Sequence, residues 1–103
     1  MKVEEVTKIP KVLGAGLATD DGFVIESQFT VGYDSEKFAS MAAQIVNRIK
    51  KSLNIEKTTS ILYTSNSVFF IKNTEEGIFF VICQKDANLG LVKINIDKST
   101  QVD

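Results

Sequence analysis

The segment Ser35–Leu53 constrains the fold most, because it predicts one long helix that is apolar around more than half of its circumference. At about 100° per residue, two neighbouring apolar stripes are formed by Phe38, Ala42, Ile45, Ile49 and Leu53 and by Ala39, Ala43 and Val46. With Met41 on the other flank, the apolar arc covers roughly 200°, about twice the ~100° that a one-sided surface helix needs. One stripe is expected to cover a sheet and the second to meet a partner. The alternative is a helix buried on both sides within its own subunit.

The composition is that of one small globular domain, which we expect to span residues 1–103. Of the residues, 44% are apolar and 24% are charged, and the net charge of -1 gives no general reason to expect a nucleic-acid partner. No stretch approaches the roughly 20 apolar residues of a membrane span, so membrane insertion is not expected. Cys83 is the only cysteine, which excludes an intramolecular disulfide and favours a reducing, cytoplasmic location.

Strand and turn signals lie on both sides of the long helix. Val3, Val6 and Ile9 recur every three residues and predict a short helix that ends at Pro10. Apolar runs predict strands at Val12–Ala18, Phe23–Ser27, Thr59–Ser65, Ser67–Lys72 and Ile78–Gln84. The expected connections are tight turns at Asp21-Gly22 and Asn66 and a five-residue polar loop at Asn73–Gly77. An antiparallel sheet with helices on its faces places the chain in the α+β class.

Capping residues mark the start of the long helix. Asp34 is the expected N-cap, whose carboxylate accepts free amide hydrogens of the first turn, and Tyr33 is expected to pack on Phe38. The basic residues near the other end suit the negative pole of the helix dipole and are interpreted as a solvated helix end. Residues 88–98 are ambiguous, because their apolar residues fit both a strand and one face of a helix.

Residues able to support chemistry are few, and the sequence predicts no catalytic residue, no metal site and no cofactor. The chain has no histidine, the commonest general base and metal ligand. Cys83 lies inside an apolar run and is expected to be buried and unreactive. Gly14 and Gly16 lie within a strand, whereas a dinucleotide-binding loop must open a helix. Asp20 and Asp21 are expected to belong to a turn, with a hydrolase that uses their carboxylates as a minor alternative.

A resemblance to a known family rests on four stretches of the chain, GAGLATDDGFVIES, YDSEKFASMAAQIVNRIKKSL, ILYTSNSVFFIKN and IFFVICQKDANLGLVKI. Together they are similar to the Roadblock (dynein light chain) family, including the bacterial MglB-like regulators of small GTPases. The resemblance covers about residues 9 to 96. It implies an α/β/α sandwich with a five-stranded antiparallel sheet, in a Roadblock-like, profilin-like layering. It also implies a final helix from Asn88 onward.

The resemblance further implies a non-enzymatic adaptor or regulator that pairs with itself or with a Roadblock paralogue and docks a Ras-like small GTPase. Members pair side by side into a continuous sheet, and we expect the dimer interface at Ala39, Ala43, Val46, Ile61 and Tyr63. The GTPase is expected to dock on the exposed side of the long helix, at Gln44, Asn47, Arg48 and Lys51. An alternative of another class is a small-ligand-binding sensor, which needs a pocket with converging polar groups.

Overall fold

The computed structural model describes residues 2–30 and 32–100, and in them a five-stranded antiparallel sheet lies between helices. The elements in chain order are α1 (Lys2–Thr7), β1 (Val12–Ala18), β2 (Val24–Phe29), α2 (Ser35–Leu53), β3 (Thr59–Tyr63), β4 (Ser67–Thr74), β5 (Gly77–Gln84) and α3 (Leu89–Ser99). The strand order is β2-β1-β5-β4-β3, and every neighbouring pair is antiparallel. The α+β sandwich is therefore confirmed, and β2 and β3 form its two edges.

Helices cover both faces of the sheet, and each face has its own apolar core. On one face, α1 and α3 pack over buried side chains of the strands, while α2 packs over the other face. Successive strand residues point to opposite faces, so Phe79 belongs to the first core and Phe80 to the second. The central strand β5 is buried on both faces, which explains why its sequence is one continuous apolar run.

The start of α2 is organised as the sequence predicts. The Oδ1 atom of Asp34 accepts hydrogen bonds from the amide groups of Glu36, at 3.0 Å, and Lys37, at 3.3 Å. The ring centroids of Tyr33 and Phe38 lie 6.4 Å apart, so the residue before the cap packs on the first turns of the helix. These contacts fix where the chain enters α2 and so fix the orientation of its exposed side.

Two expectations about connections and ends are corrected or decided by the structure. The polar loop expected at Asn73–Gly77 is a tight turn of residues 75–76, because β4 extends to Thr74 and β5 begins at Gly77. The hydroxyl of Thr74 donates to the carbonyl of Gly77 at 2.8 Å and closes this turn. The last segment is the helix α3, as the resemblance implies. The strand alternative is wrong because Val92 and Ile96, one helical turn apart, both pack into the core beneath α3.

Candidate interaction surfaces on the long helix and the sheet edges

The second apolar stripe of α2 is buried inside its own subunit. Ala39, Ala43 and Val46 all belong to the core under α2, where solvent does not reach them. The turn between β1 and β2 covers this side, since a Cβ atom placed on Gly22 would lie 3.1 Å from the Cα of Ser40 and 3.3 Å from the Cβ of Ala43. The expectation that this stripe meets a partner subunit is therefore wrong. The small alanines leave room for the chain's own hairpin, so both apolar stripes of α2 contribute residues to the core of one subunit.

A hydrogen bond fastens the same hairpin turn to the helix. The side-chain amide of Asn47 donates to the backbone carbonyl of Asp20 at 3.0 Å. Asn47 is exposed, but its amide is engaged, which makes it a weaker docking candidate than its neighbours. Gln44, Arg48 and Lys51 are also exposed along α2. Within residues 2–30 and 32–100, no side-chain hydrogen bond or ion pair holds these three, so they can turn towards a partner.

The flank of α2 that faces the β3–β4 turn has unfilled apolar surface. An open groove of about 770 Å³ lies there, and its lining includes the apolar residues Phe38, Met41, Phe69 and Ile82 and the polar residues Thr64, Asn66, Ser67 and Gln84. Met41 is 39% exposed at this groove, and Ile45, one turn further along α2, is half-buried. The apolar arc therefore extends beyond the core on this side, and not on the side of the alanine stripe.

Two polar side chains at the groove, those of Thr64 and Asp86, are paired within the protein. Asp86 accepts a hydrogen bond from the ammonium of Lys11, and this bond holds the pKa of Asp86 below its usual range. In the part of the chain that the structure describes, every buried polar atom of a side chain has a hydrogen-bond partner. The groove therefore has the volume for a small ligand, but within the described residues no buried, unpaired polar atom of a side chain points to one.

The strand β3 is an edge of the sheet. In the described sheet it pairs with β4 alone, so alternate backbone groups on its other side face solvent. Tyr63 at its end is 70% exposed, whereas Ile61 is partly packed against the core under α1 and α3. Of the two interface residues expected on this strand, Tyr63 is thus fully accessible to a partner and Ile61 only in part.

The other edge, β2, was not singled out by the sequence. Phe23, directly before the strand, is 70% exposed and Ile25 is 52% exposed. The sequence predicts both as part of the strand Phe23–Ser27 and makes no prediction about their exposure. One signal in the sequence could have indicated this exposure. Phe23, Val24 and Ile25 are three consecutive apolar residues after an acidic turn. Successive strand residues point to opposite faces, and a strand at a sheet edge cannot bury both faces.

The only cysteine has no reactive character. Cys83 is buried in the core under α1 and α3, and burial raises the pKa of its thiol to about 11. Its Sγ donates to the carbonyl of Val68 at 3.6 Å. Among the described residues, no three acidic, cysteine or histidine side chains come together as metal ligands, and no helix is long and apolar enough to cross a membrane.

The fold and these surfaces define a class of small α+β domain with two open sheet edges and an exposed, polar side of one long helix. A family model described as the Roadblock/LC7 domain matches residues 1–84. The chain therefore belongs to the Roadblock/LC7 family, which confirms the resemblance found in the sequence. No curated protein matches the sequence.

Solved structures share the same fold at low sequence identity. The Roadblock/LC7 domain from Streptomyces avermitilis is similar with a TM-score of 0.84 and 10% identity, over 96% of this chain and 88% of that chain. MglB from Myxococcus xanthus gives a TM-score of 0.81 and 20% identity, over 96% and 85% of the two chains. MglC from Myxococcus xanthus gives 0.68 and 11%, over 96% and 90%. At these identities the likeness establishes the fold.

Proposed function

We propose that this protein is a non-enzymatic, dimeric adaptor or regulator that docks a Ras-like small GTPase. Membership of the Roadblock/LC7 family and the structural likeness to MglB support this function. The observation that carries it is the open edge β3 beside the unfilled apolar flank of α2. An unpaired edge strand with apolar surface next to it is the arrangement that a second subunit covers.

In the proposed dimer, β3 pairs with β3 of a second copy or of a Roadblock paralogue. The pairing satisfies the exposed backbone groups of β3 and joins the two sheets into one. Tyr63 and the exposed part of Ile61 then lie at the interface, and Met41 on the helix flank replaces the buried alanine stripe as the contact of α2. The surface is used twice in an isologous contact, so each favourable contact occurs in two copies.

The GTPase is proposed to dock on the outer side of α2, through Gln44, Arg48 and Lys51. These side chains are exposed and unengaged, and two of them are basic, so they attract an acidic partner surface. Charges at the rim of an interface change the association rate more than they change affinity. The residues that hydrolyse GTP belong to the GTPase in this proposal.

The test begins with capture of partners from native lysate on the tagged protein, and mass spectrometry is expected to identify a Ras-like GTPase. Association kinetics are then measured for the variant Arg48→Glu with Lys51→Glu. A matched control, Lys8→Glu with Lys98→Glu, changes the net charge equally at two exposed lysines, one directly after α1 and one in α3. Slower association and a weaker salt dependence for the first variant alone support the docking surface. Equal rates for both variants would place the GTPase elsewhere.

The groove of about 770 Å³ favours one alternative, a small-ligand sensor. A ligand that binds the folded state raises the melting temperature according to its concentration and affinity. A screen of metabolites by thermal shift, repeated on the groove variant Met41→Glu, tests this alternative. A shift that the variant abolishes, in a protein that captures no GTPase, would favour the sensor.

A further inference from the structure

The edge strand β2 presents apolar side chains that the proposed function does not use. Phe23 is 70% exposed and Ile25 is 52% exposed. In the described sheet β2 pairs with β1 alone. Natural edge strands are often protected from pairing by lysine or proline, and the sequence Val24–Phe29 contains neither. The register between β1 and β2 shifts once, between Val24 and Glu26 at the beginning of β2, and the rest of β2 pairs with β1 in regular register.

The backbone of β2 offers hydrogen-bonding groups to an additional strand. The amide of Thr30, directly after β2, donates to the carbonyl of Leu13 at 2.9 Å. Residues that face the neighbouring strand alternate with residues that face away from it. Because Thr30 faces β1, Gln28 two residues earlier also directs its backbone amide and carbonyl towards β1. The amide and carbonyl of Ser27, directly before Gln28, point away from β1 towards the open edge. An extended peptide alongside β2 would pair with these groups, as in β-strand addition.

A cavity of about 520 Å³ lies beside this edge, between the beginning of β2 and α2. Its lining includes the acidic residues Asp21 and Glu36, together with Ser40 and the exposed Phe23. Within the described residues, no lysine or arginine lines it. The cavity has room for one long basic side chain, and two carboxylates without a cation beside them attract a positive charge.

We propose that the β2 edge binds an extended segment of a partner protein in which apolar and basic residues alternate. The backbone of the segment pairs with Ser27, its apolar side chains pack on Phe23 and Ile25, and a lysine or arginine enters the cavity between Asp21 and Glu36. A second copy of this chain does not fit through its own β2 edge, because residues 20–30 contain no lysine or arginine that could enter the cavity.

This site is separate from the proposed dimer interface. The strands β1, β5 and β4 separate β2 from β3 in the sheet. The β2 edge therefore remains open when two subunits pair through β3. A protein that binds its basic segment here and dimerises through the opposite edge would hold two such segments, one in each subunit.

The test uses a fluorescein-labelled octapeptide of alternating valine and lysine, with an octapeptide of alternating valine and glutamate as its control. Fluorescence anisotropy of the full chain is measured at low and at physiological ionic strength. The lysine peptide is expected to bind, more weakly as the salt concentration rises, and the glutamate peptide is not. Hydrogen exchange is expected to slow at the amide of Ser27 when the lysine peptide is added.

Two variants assign the binding to β2. Phe23→Ser is expected to weaken binding of the lysine peptide roughly tenfold, since it removes one large apolar contact. Asp21→Asn with Glu36→Gln is expected to weaken binding and to remove its salt dependence. The matched control is Tyr63→Ser, because Tyr63 is also an aromatic residue that is 70% exposed, but at the β3 edge. Circular dichroism checks that each variant is folded.

Equal binding of the two peptides would overturn the proposal, and so would equal losses in Phe23→Ser and Tyr63→Ser. A weaker dimer in Phe23→Ser, measured by sedimentation, would also overturn it, because the edge would then belong to a second copy. Tyr63→Ser is expected to keep full peptide binding. If it also keeps the dimer, the proposed β3 interface fails while the β2 site stands, so the two failures are distinguishable.

Discussion

The same substitution at two positions of α2 tests which flank of the helix serves as the interface. Ala43→Glu introduces a carboxylate at a buried position, where the hairpin turn at Gly22 leaves no space for a longer side chain. Met41→Glu introduces the same carboxylate two residues earlier, where the side chain is 39% exposed at an open groove. The two variants have the same charge and differ in the surroundings of the new carboxylate.

The expected magnitudes differ by several kcal/mol. An unpaired charge in a buried site costs about 3 to 5 kcal/mol, a large part of the about 5 to 15 kcal/mol by which a domain is stable. For a chain of this size each kcal/mol lowers the melting temperature by about 4 to 8 °C. Ala43→Glu is therefore expected to lower it by more than about 12 °C. Met41→Glu is expected to change the stability of the isolated subunit by about 0.5 kcal/mol or less, yet to oppose the pairing of two subunits.

The assay combines thermal unfolding with light scattering over a range of protein concentrations. Met41→Glu is expected to remain folded and to shift from dimer to monomer, whereas Ala43→Glu is expected to lose its folded state first. The reasoning is refuted if Ala43→Glu keeps the melting temperature of the original protein and becomes a folded monomer. That outcome would return the alanine stripe to the dimer interface.

Three further predictions concern the sheet, α3 and the thiol. Gly16→Ala places a Cβ 2.4 Å from the Cζ of buried Phe80 and is expected to destabilise the fold by about 1 to 2 kcal/mol in chemical denaturation, while Gly90→Ala, whose Cβ has space, does not. Hydrogen bonds from Lys93 and then Lys72 lower the pKa of Asp97 in the folded protein. The ionised carboxylate therefore stabilises the fold above the unfolded-state pKa, and this stabilisation is lost as pH falls through the lower folded-state pKa. The difference in unfolding free energy between the protein and Asp97→Asn should shrink below about pH 4. Cys83 should resist thiol reagents at pH 8 until the protein is unfolded, because its pKa is about 11.

Local features of the sequence determined most of the fold. The Asp-Gly turn, the N-cap Asp34 and the apolar runs depend on backbone sterics and on residues a few positions apart, which a single sequence displays directly. They located α2 and every strand closely. For the ambiguous segment after Asn88, the family resemblance predicted a helix. Asn88 is the N-cap of α3, and its side-chain oxygen Oδ1 accepts a hydrogen bond from the backbone amide of Leu91.

Tertiary structure decided which surfaces are available to a partner. Periodicity shows that Ala39, Ala43 and Val46 share one side of α2, but it cannot show what covers that side. The chain's own hairpin does so, because Gly22 can approach the helix closely at those alanines. The exposure of Phe23 follows from the position of β2 at a sheet edge, and strand order depends on contacts between residues far apart in sequence. The sequence alone therefore determined α2 and the approximate positions of the strands, whereas only the packing of those elements determined the exposed flank of α2 and the two open edges.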